Sequence, residues 1–290
     1  MPTETVYGIA ADATSARAAE SVFRLKGRPA DNPLIVHIAH LEQLSQVVAS
    51  IPEDAERLIE RFWPGPLTLV LPRSLGIPDA VTGGRESVAV RVPAHPVALR
   101  LIDAAERPLA APSANTFMRL SPTRAEDVAP EIIVGLFGVL DGGPCAIGIE
   151  STVVDLTGEP RLLRPGGVPR AQIEAVLRKE LAGAGNERKG PGMYPRHYAP
   201  KIPLRMAPAL EPEDAGLTLA DPTGPYQTRM PDEPAAYAIA LYAVLHRLEE
   251  TGVREIVVQS PPNHEAWEAV RDRLSRATAP GPPTSREACF

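Results

Sequence analysis

The sequence predicts an α/β protein: an open, mixed sheet with helices, followed by a second, smaller α/β unit. Three observations lead there. Short β-prone runs and amphipathic helical stretches alternate over residues 1–182 without strict order, which favours a mixed sheet over a wholly parallel one. Residues 183–203, GAGNERKGPGMYPRHYAPKIP, then shift to Gly, Pro and charge, the composition of a linker. Strand and helix signals resume over 204–279, and a chain of 290 residues is long enough for two such units.

The elements follow in order. Thr3, Thr5 and Tyr7 form a β-prone opening that Gly8 breaks. Thr14 to Lys26 reads as a helix, with Ser15 able to cap it and Gly27 able to end it at positive φ. A strand, PLIVHI, follows over residues 33–38. Leu41 to Val48 and Pro52 to Phe62 read as helices, the second opened by Ser50 and Glu53 in the spacing of a capping box. A turn at Trp63 to Pro66 leads into strand Leu67 to Leu71. SVAVRVP then alternates, with Val88, Val90 and Val92 on one face and Ser87, Ala89 and Arg91 on the other. A helix from Pro96 to Ala105 precedes LAAPSAN, a short buried strand with a polar end. A short helix leads to the apolar run Ile132 to Leu140, and STVVDL pairs with RLLRPGG as a hairpin across Thr157 and Gly158. One more helix spans Pro169 to Leu181. In the second unit IPLRM, GLTLA and REIVVQS are strands, while Tyr237 to Leu248 and Glu265 to Arg276 are helices. The tail, 280–290, is expected to be disordered.

Composition narrows the function. Net charge is -6, which argues against broad nucleic-acid binding. Positive charge is local: Arg17, Arg24, Lys26 and Arg28 face Glu20 alone between Ser15 and Arg28, a pattern suited to a small anion. The 33 prolines are about double the usual share, and many stiffen loops. No apolar run nears the ~20 residues of a membrane span, and no charged-then-apolar leader is seen, so the expected location is the cytoplasm. Cys145 and Cys289 make neither a metal spacing nor a disulfide framework, and Cys145 reads as structural. Neither GxGxxG after a strand nor GxxxxGK[ST] occurs.

Lys26 and Arg28 flank Gly27 where a helix meets a buried strand, an arrangement that suits an anion approaching the backbone, or equally a solvated turn. Alone, His37 reads as a core histidine and Arg91 as a surface strand arginine. Ser113 and Asn115 end a strand, where α/β sheets commonly present ligand groups, although a polar turn would look the same. In the linker, Tyr194, Arg196, His197 and Tyr198 are costly to leave idle and could fold over a site.

Taken together, PTETVYG, KGRPADNPLIVHI, SVAVRVP, APSAN with SPT, and DGGPCAIGIESTVVDL with LLRPG resemble the YrdC-like threonylcarbamoyl-AMP synthases in order and spacing over residues 1–201. GPGMYPRHYAPK and the trailing unit resemble the two-domain form, with a Rossmann-like C-terminal domain. The resemblance implies synthesis of threonylcarbamoyl-AMP from L-threonine, bicarbonate and ATP with release of pyrophosphate. Mg2+ is carried with ATP, and no resident metal is expected. Separate tRNA threonylcarbamoyl-transferase proteins then use the product, so tRNA is met only indirectly. By the same resemblance Lys26 and Arg28 are the catalytic phosphate cations. Arg28, Asn32, Ser113, Asn115, Ser121, Arg164 and Tyr198 contact ATP, and Thr5, His37, Arg91, Ala111 and Ser151 contact threonine.

Some residues depart from the family's pattern. The helix and strand that usually precede PTETVYG are not seen, which leaves a sheet edge to be covered. Met118 stands where glycine is usual, and the stretch between Met206 and Met230 is short, so the second sheet is expected to lack a member. Two other readings remain at this stage: an RNA-binding module without catalysis, and carbamoyl transfer from carbamoyl phosphate of the hydrogenase-maturation kind.

Overall fold

The computed structural model describes residues 1–184 and 194–280. Linker residues 185–193 and tail residues 281–290, with Cys289, lie outside the described residues.

The first part of the chain runs β1 (Ala11–Asp12), α1 (Ala16–Lys26), β2 (Ile35–His37), α2 (Leu44–Val47), α3 (Glu53–Phe62) and β3 (Leu67–Pro72). It continues with α4 (Asp79–Thr82), β4 (Ser87–Arg91), α5 (Pro96–Ala105), β5 (Leu109–Ala110) and α6 (Pro130–Ile133). The hairpin β6 (Thr152–Asp155) and β7 (Arg161–Arg164) and helix α7 (Arg170–Leu177) complete it. Its seven strands lie in the order β1-β5-β2-β4-β3-β6-β7. Pairs β2/β4 and β3/β6 are parallel and the rest antiparallel, so the sheet is mixed as the irregular alternation predicts. Beyond the linker come β8 (Leu204–Ala207), β9 (Gly216–Thr218), β10 (Gln227–Arg229), α8 (Pro234–Glu250), β11 (Ile256–Gln259) and α9 (Glu268–Thr278). Their sheet, β10-β9-β11-β8, is wholly parallel.

Period-two alternation sorts the residues of the large sheet between two faces. Leu67, Leu69, Leu71, Val88 and Val90 pack with Leu58 and Ile173 of α3 and α7. Val70, Ala89 and Val153 pack on the opposite side. Full burial of each large aliphatic stabilises the fold by about 1.5–3 kcal/mol. Since both faces are covered, Arg91 is buried rather than at the surface where an isolated strand would leave it. Helix α1 begins as expected, with the Ser15 hydroxyl accepting from Ala18 N at 3.3 Å. It ends at Gly27, whose φ of 62° is the left-handed turn that sends Arg28 back toward the sheet.

Several local expectations are corrected. The helix expected at 41–48 is a 3-10 turn at Leu41–Gln43 followed by α2, and the Gln43 side chain caps the start of the turn by accepting from Ala39 N at 2.7 Å. Ser50 does not box α3; Pro52 is its N-cap, and Glu53, Asp54 and Glu56 in the first turn complement the helix dipole instead. Helix α7 stops at Leu177, with Arg178 at φ 55°, which frees Leu181 to pack in the core. The apolar run 132–140 is helical only at its start and leaves Val134 and Phe137 exposed. Strand β10 was not expected from its polar QTR sequence; parallel pairing with β9 makes it a strand, so the short stretch before Met230 supplies two sheet members. Met118, standing where glycine is usual, takes φ 70°, a conformation that costs a side-chain-bearing residue roughly 1–2 kcal/mol. Its carbonyl accepts from Ala199 N at 2.9 Å, so this turn seats the segment carrying Tyr198.

Candidate active site

Strand ends converge at one edge of the large sheet. His37 ends β2 and Arg91 ends β4, opposite each other in register. Ser151 immediately precedes β6 and Arg164 ends β7. A bridge between Gly8 and Ser113 brings the opening PTETVYG stretch to the same edge. The cavity there has an atom-free volume of about 550 Å3, its open mouth included.

Thr5, Arg28, His37, Arg91, Ala111, Ser113, Ser151, Arg164 and Tyr198 line this cavity, although they come from stretches scattered over the chain. Lys26, Asn32, Asn115 and Ser121 are buried nearby but do not line it. The Lys26 ammonium donates to the Ser113 carbonyl at 2.5 Å and to the Asn115 carbonyl, so it joins α1 to the SAN turn. Asn32 Oδ1 accepts from Arg28 Nη2 at 2.6 Å, and Ser121 Oγ donates to Glu150 Oε1 at 2.6 Å. Asn115 Nδ2 donates to the carbonyls of Thr116 and Arg119. Sequence reasoning assigned no role to Thr3, Glu150 or the backbone stretch Pro33 to Ile35, all of which line the cavity; His197, noted only as an aromatic and basic linker residue, does too. For Glu150 the available signal was a lone carboxylate in the otherwise uncharged CAIGIESTVV run.

Charge dominates the walls. Arg28 donates to the Asn32 and Pro33 carbonyls, at 3.1 and 2.8 Å. Arg91 Nη2 donates to Thr5 Oγ1 at 3.0 Å, and its Nη1 lies 3.6 Å from Glu4 Oε1. Arg164 donates to the Ser151 carbonyl at 2.9 Å and to its hydroxyl at 3.2 Å. Gly166 permits this contact, since a Cβ there would collide with the Glu150 carbonyl. Burial, with the nearby Arg164 also contributing, pulls the Arg28 guanidinium down to about 10 despite Tyr194 and Tyr198; it stays charged at neutral pH. Arg91 is likewise lowered by burial, and the charge of Glu4 partly restores it. His37 is held well below the usual imidazole range by burial and then by Arg91. Burial similarly lowers His197, with Arg28, Lys26 and Arg164 adding to the effect, so both rings are neutral at pH 7. Cys145, as a structural thiol should, is pushed up to about 12 by burial.

Buried arginines in mutual electrostatic reach are costly unless anions meet them. Consistent with that need, Arg91 Nε, His197 Nδ1 and the Tyr198 hydroxyl are buried without a hydrogen-bond partner among the described residues.

Glu150 is the exception among the wall charges. Burial would raise its pKa, but Arg273, Arg164 and the Ser121 hydroxyl outweigh that and bring it from the usual 4.5 to about 2. A depressed carboxylate contributes stability that is present above the unfolded value and lost as pH falls through the folded one. Glu150 should therefore contribute about 3 kcal/mol above pH ~5, lost progressively toward pH ~2. Denaturant unfolding across that range should give a flatter stability profile for Glu150→Gln than for the wild type; parallel profiles would contradict the pairing.

Comparisons with known proteins agree with this geometry. Residues 1–166 match the Sua5/YciO/YrdC family, described as Telomere recombination. Residues 168–279 match the family described as Threonylcarbamoyl-AMP synthase, C-terminal domain. A Threonylcarbamoyl-AMP synthase of Pyrococcus abyssi is 54% identical over 69% of this chain, a match that spans 61% of that protein's length. One from Bacillus subtilis is 41% identical over 96% of this chain and 88% of its own. The crystal structure of P. abyssi Sua5 complexed with L-threonine superposes with a TM-score of 0.87 at 41% identity, covering 96% of this chain and 89% of that one. With both sheets and the cavity between the strand ends inside the matched regions, the chain belongs to the Sua5/YrdC family, in its two-domain Sua5 form.

Proposed function

We propose that this chain is a threonylcarbamoyl-AMP synthase, with residues 1–182 as the catalytic domain, 204–279 as a C-terminal domain and the described linker residues 194–203 folded over the site. The observation that carries the reading is the convergence of three buried guanidinium groups, Arg28, Arg91 and Arg164, on one cavity. The substrates together bring a carboxylate, a carbamate and a triphosphate, which is the charge that such a wall accommodates.

The chemistry needs no enzyme nucleophile. The amine of L-threonine combines with bicarbonate to give a carbamate and water. A carbamate oxygen then attacks the α-phosphorus of ATP, forming the new P–O bond as the bond to pyrophosphate breaks. The protein's work is positioning and charge neutralisation. Arg91, fixed by Thr5 and Glu4 and opposite His37, suits the threonine carboxylate; Ser151, beside Thr68 Oγ1 at 2.7 Å, suits the threonine hydroxyl. Ala111 offers apolar contact there. Arg28 and Arg164 suit the phosphates, while Ser113 and Tyr198 suit the nucleotide. Lys26, Asn32, Asn115 and Ser121 act behind the wall, through Ser113, Arg28, the SAN turn and Glu150.

Mg2+ is best read as part of the ATP substrate. Glu150, the carboxylate among the lining residues, is already engaged by Ser121, Tyr242 and Arg273, so the phosphates and water would supply the oxygen ligands that Mg2+ prefers. By this reading the product passes to separate tRNA-modifying transferases in the cytoplasm.

Pyrophosphate release is the direct test. With ATP and Mg2+ present, release should require both L-threonine and bicarbonate, and mass spectrometry should find threonylcarbamoyl-AMP. Release that continues when either is omitted would overturn the reading.

A further inference from the structure

Helix α9 sends one charged side chain into the centre of the molecule. Arg273 is 1% exposed, although it belongs to the C-terminal layer. Its Nε donates to Glu150 Oε2 at 2.7 Å and its Nη2 to the Pro165 carbonyl at 3.0 Å. Its guanidinium carbon lies 4.8 Å from the centre of the Tyr198 ring. Glu150 and Tyr198 line the cavity, and Pro165 follows Arg164, which also lines it. One guanidinium thus touches both ends of the β6–β7 hairpin and the linker residue Tyr198.

The surrounding groups hold that guanidinium in place. Asp272 accepts from Arg273 Nη1 at 2.6 Å and from Arg276 Nε at 2.9 Å. Arg276 Nη1 donates to the Tyr194 carbonyl at 2.7 Å, and the Arg276 carbonyl accepts from His197 N at 3.1 Å. Tyr242 of α8 donates to Glu150 Oε2 at 3.2 Å. Burial works against the charge on Arg273, but Tyr198, Glu150 and Asp272 outweigh it and raise its pKa well above the ordinary value.

We propose that Arg273 is a positioning residue for the reaction: it locks the Glu150–Ser151 turn, the Arg164–Pro165 turn and Tyr198 into one wall, so that the C-terminal layer aims the substrate-facing groups without touching a substrate. The proposal rests on the synthase reading for its kinetic consequence and on geometry alone for its mechanical one. A planar guanidinium suits the task, because its donors reach two acceptors in fixed directions while its face meets a ring; an ammonium cannot do all three. An interface ion pair that serves only to attach the C-terminal layer would alter stability and leave the wall's geometry alone.

The test compares full-length Arg273→Met and Arg273→Lys with Leu248→Ala. Leu248 packs in the apolar cluster of the C-terminal layer and does not itself line the cavity, so its truncation supplies a loss of stability for comparison. All are assayed well below their melting midpoints. Arg273→Met should lose about 100-fold in kcat, the scale of a ~1 Å misplacement of reacting groups, with a smaller change in KM. Arg273→Lys should recover part of the loss, and Leu248→Ala should keep kcat within about twofold. Hydrogen exchange at residues 148–152 and 164–166 should quicken in Arg273→Met but not in Leu248→Ala. Losses that track stability alone in both variants, or faster exchange with unchanged kcat, would overturn the proposal. If Arg273→Met fails to fold, Arg273→Lys against Leu248→Ala decides on the same two readouts. Wild-type protein without threonine-dependent pyrophosphate release would refute the synthase reading instead; the exchange comparison would then still decide whether Arg273 holds the wall.

Discussion

Arg28→Met is expected to lower kcat/KM for ATP by about 100- to 1000-fold, the usual effect of removing one preorganised donor from a developing charge. Asn32 and Pro33 take Nε and both Nη2 donors of Arg28, so the group is already aimed before substrate arrives, and Nη1 makes no hydrogen bond among the described residues. Methionine keeps an unbranched apolar stem and removes the charge. Part of any loss comes from the freed acceptors around Asn32, and Arg28→Lys separates the two effects: it restores charge without the fork and should recover a fraction of the rate. Steady-state pyrophosphate release at varied ATP measures both variants. An Arg28→Met protein with wild-type kcat/KM for ATP would remove Arg28 from the phosphate site.

Arg91→Lys is expected to raise KM for L-threonine by about 10- to 100-fold while leaving KM for ATP within about twofold. Lysine keeps the positive charge beside Glu4, so the buried pair is not left with a lone carboxylate, the condition that would cost about 3–5 kcal/mol of stability. What is lost is the two-pronged geometry, and charge-assisted hydrogen bonds of this kind contribute about 1.5–3 kcal/mol, or one to two decades in affinity. Calorimetric titration of threonine gives the same quantity without turnover. If both KM values rise together, Arg91 shapes the cavity as a whole and does not single out the amino acid.

The site residues differ in how readable they were. Thr5, Ser151 and Arg164 sit in short motif stretches whose order and spacing point to a site, and they line the cavity. Arg91 and His37 look ordinary in isolation; they face each other only because β2 and β4 pair in parallel register, a fact about two strands separated by three helices and another strand. Lys26 shows the opposite case. Its sequence context, beside Gly27 and Arg28, resembles a phosphate cradle, but Ser113 and Asn115 carbonyls receive its ammonium. The sequence does not show that α1 and the SAN turn meet, and that meeting buries the ammonium against two carbonyls.

From the sequence alone came the local features: a helix that Ser15 opens and Gly27 closes, strands that alternate with period two, and cations placed next to a turn. These depend on dihedral preference and on which side chains share a face, interactions that reach only a few residues along the chain. Only the tertiary structure decided which charges are buried and what answers them. Glu150 and Arg273 are 123 residues apart, and neither is distinguishable from a surface ion until the two layers dock and water is removed from both. Electrostatic energy in such a place is set by distance and by the polarisability of the surroundings, and folding alone supplies both.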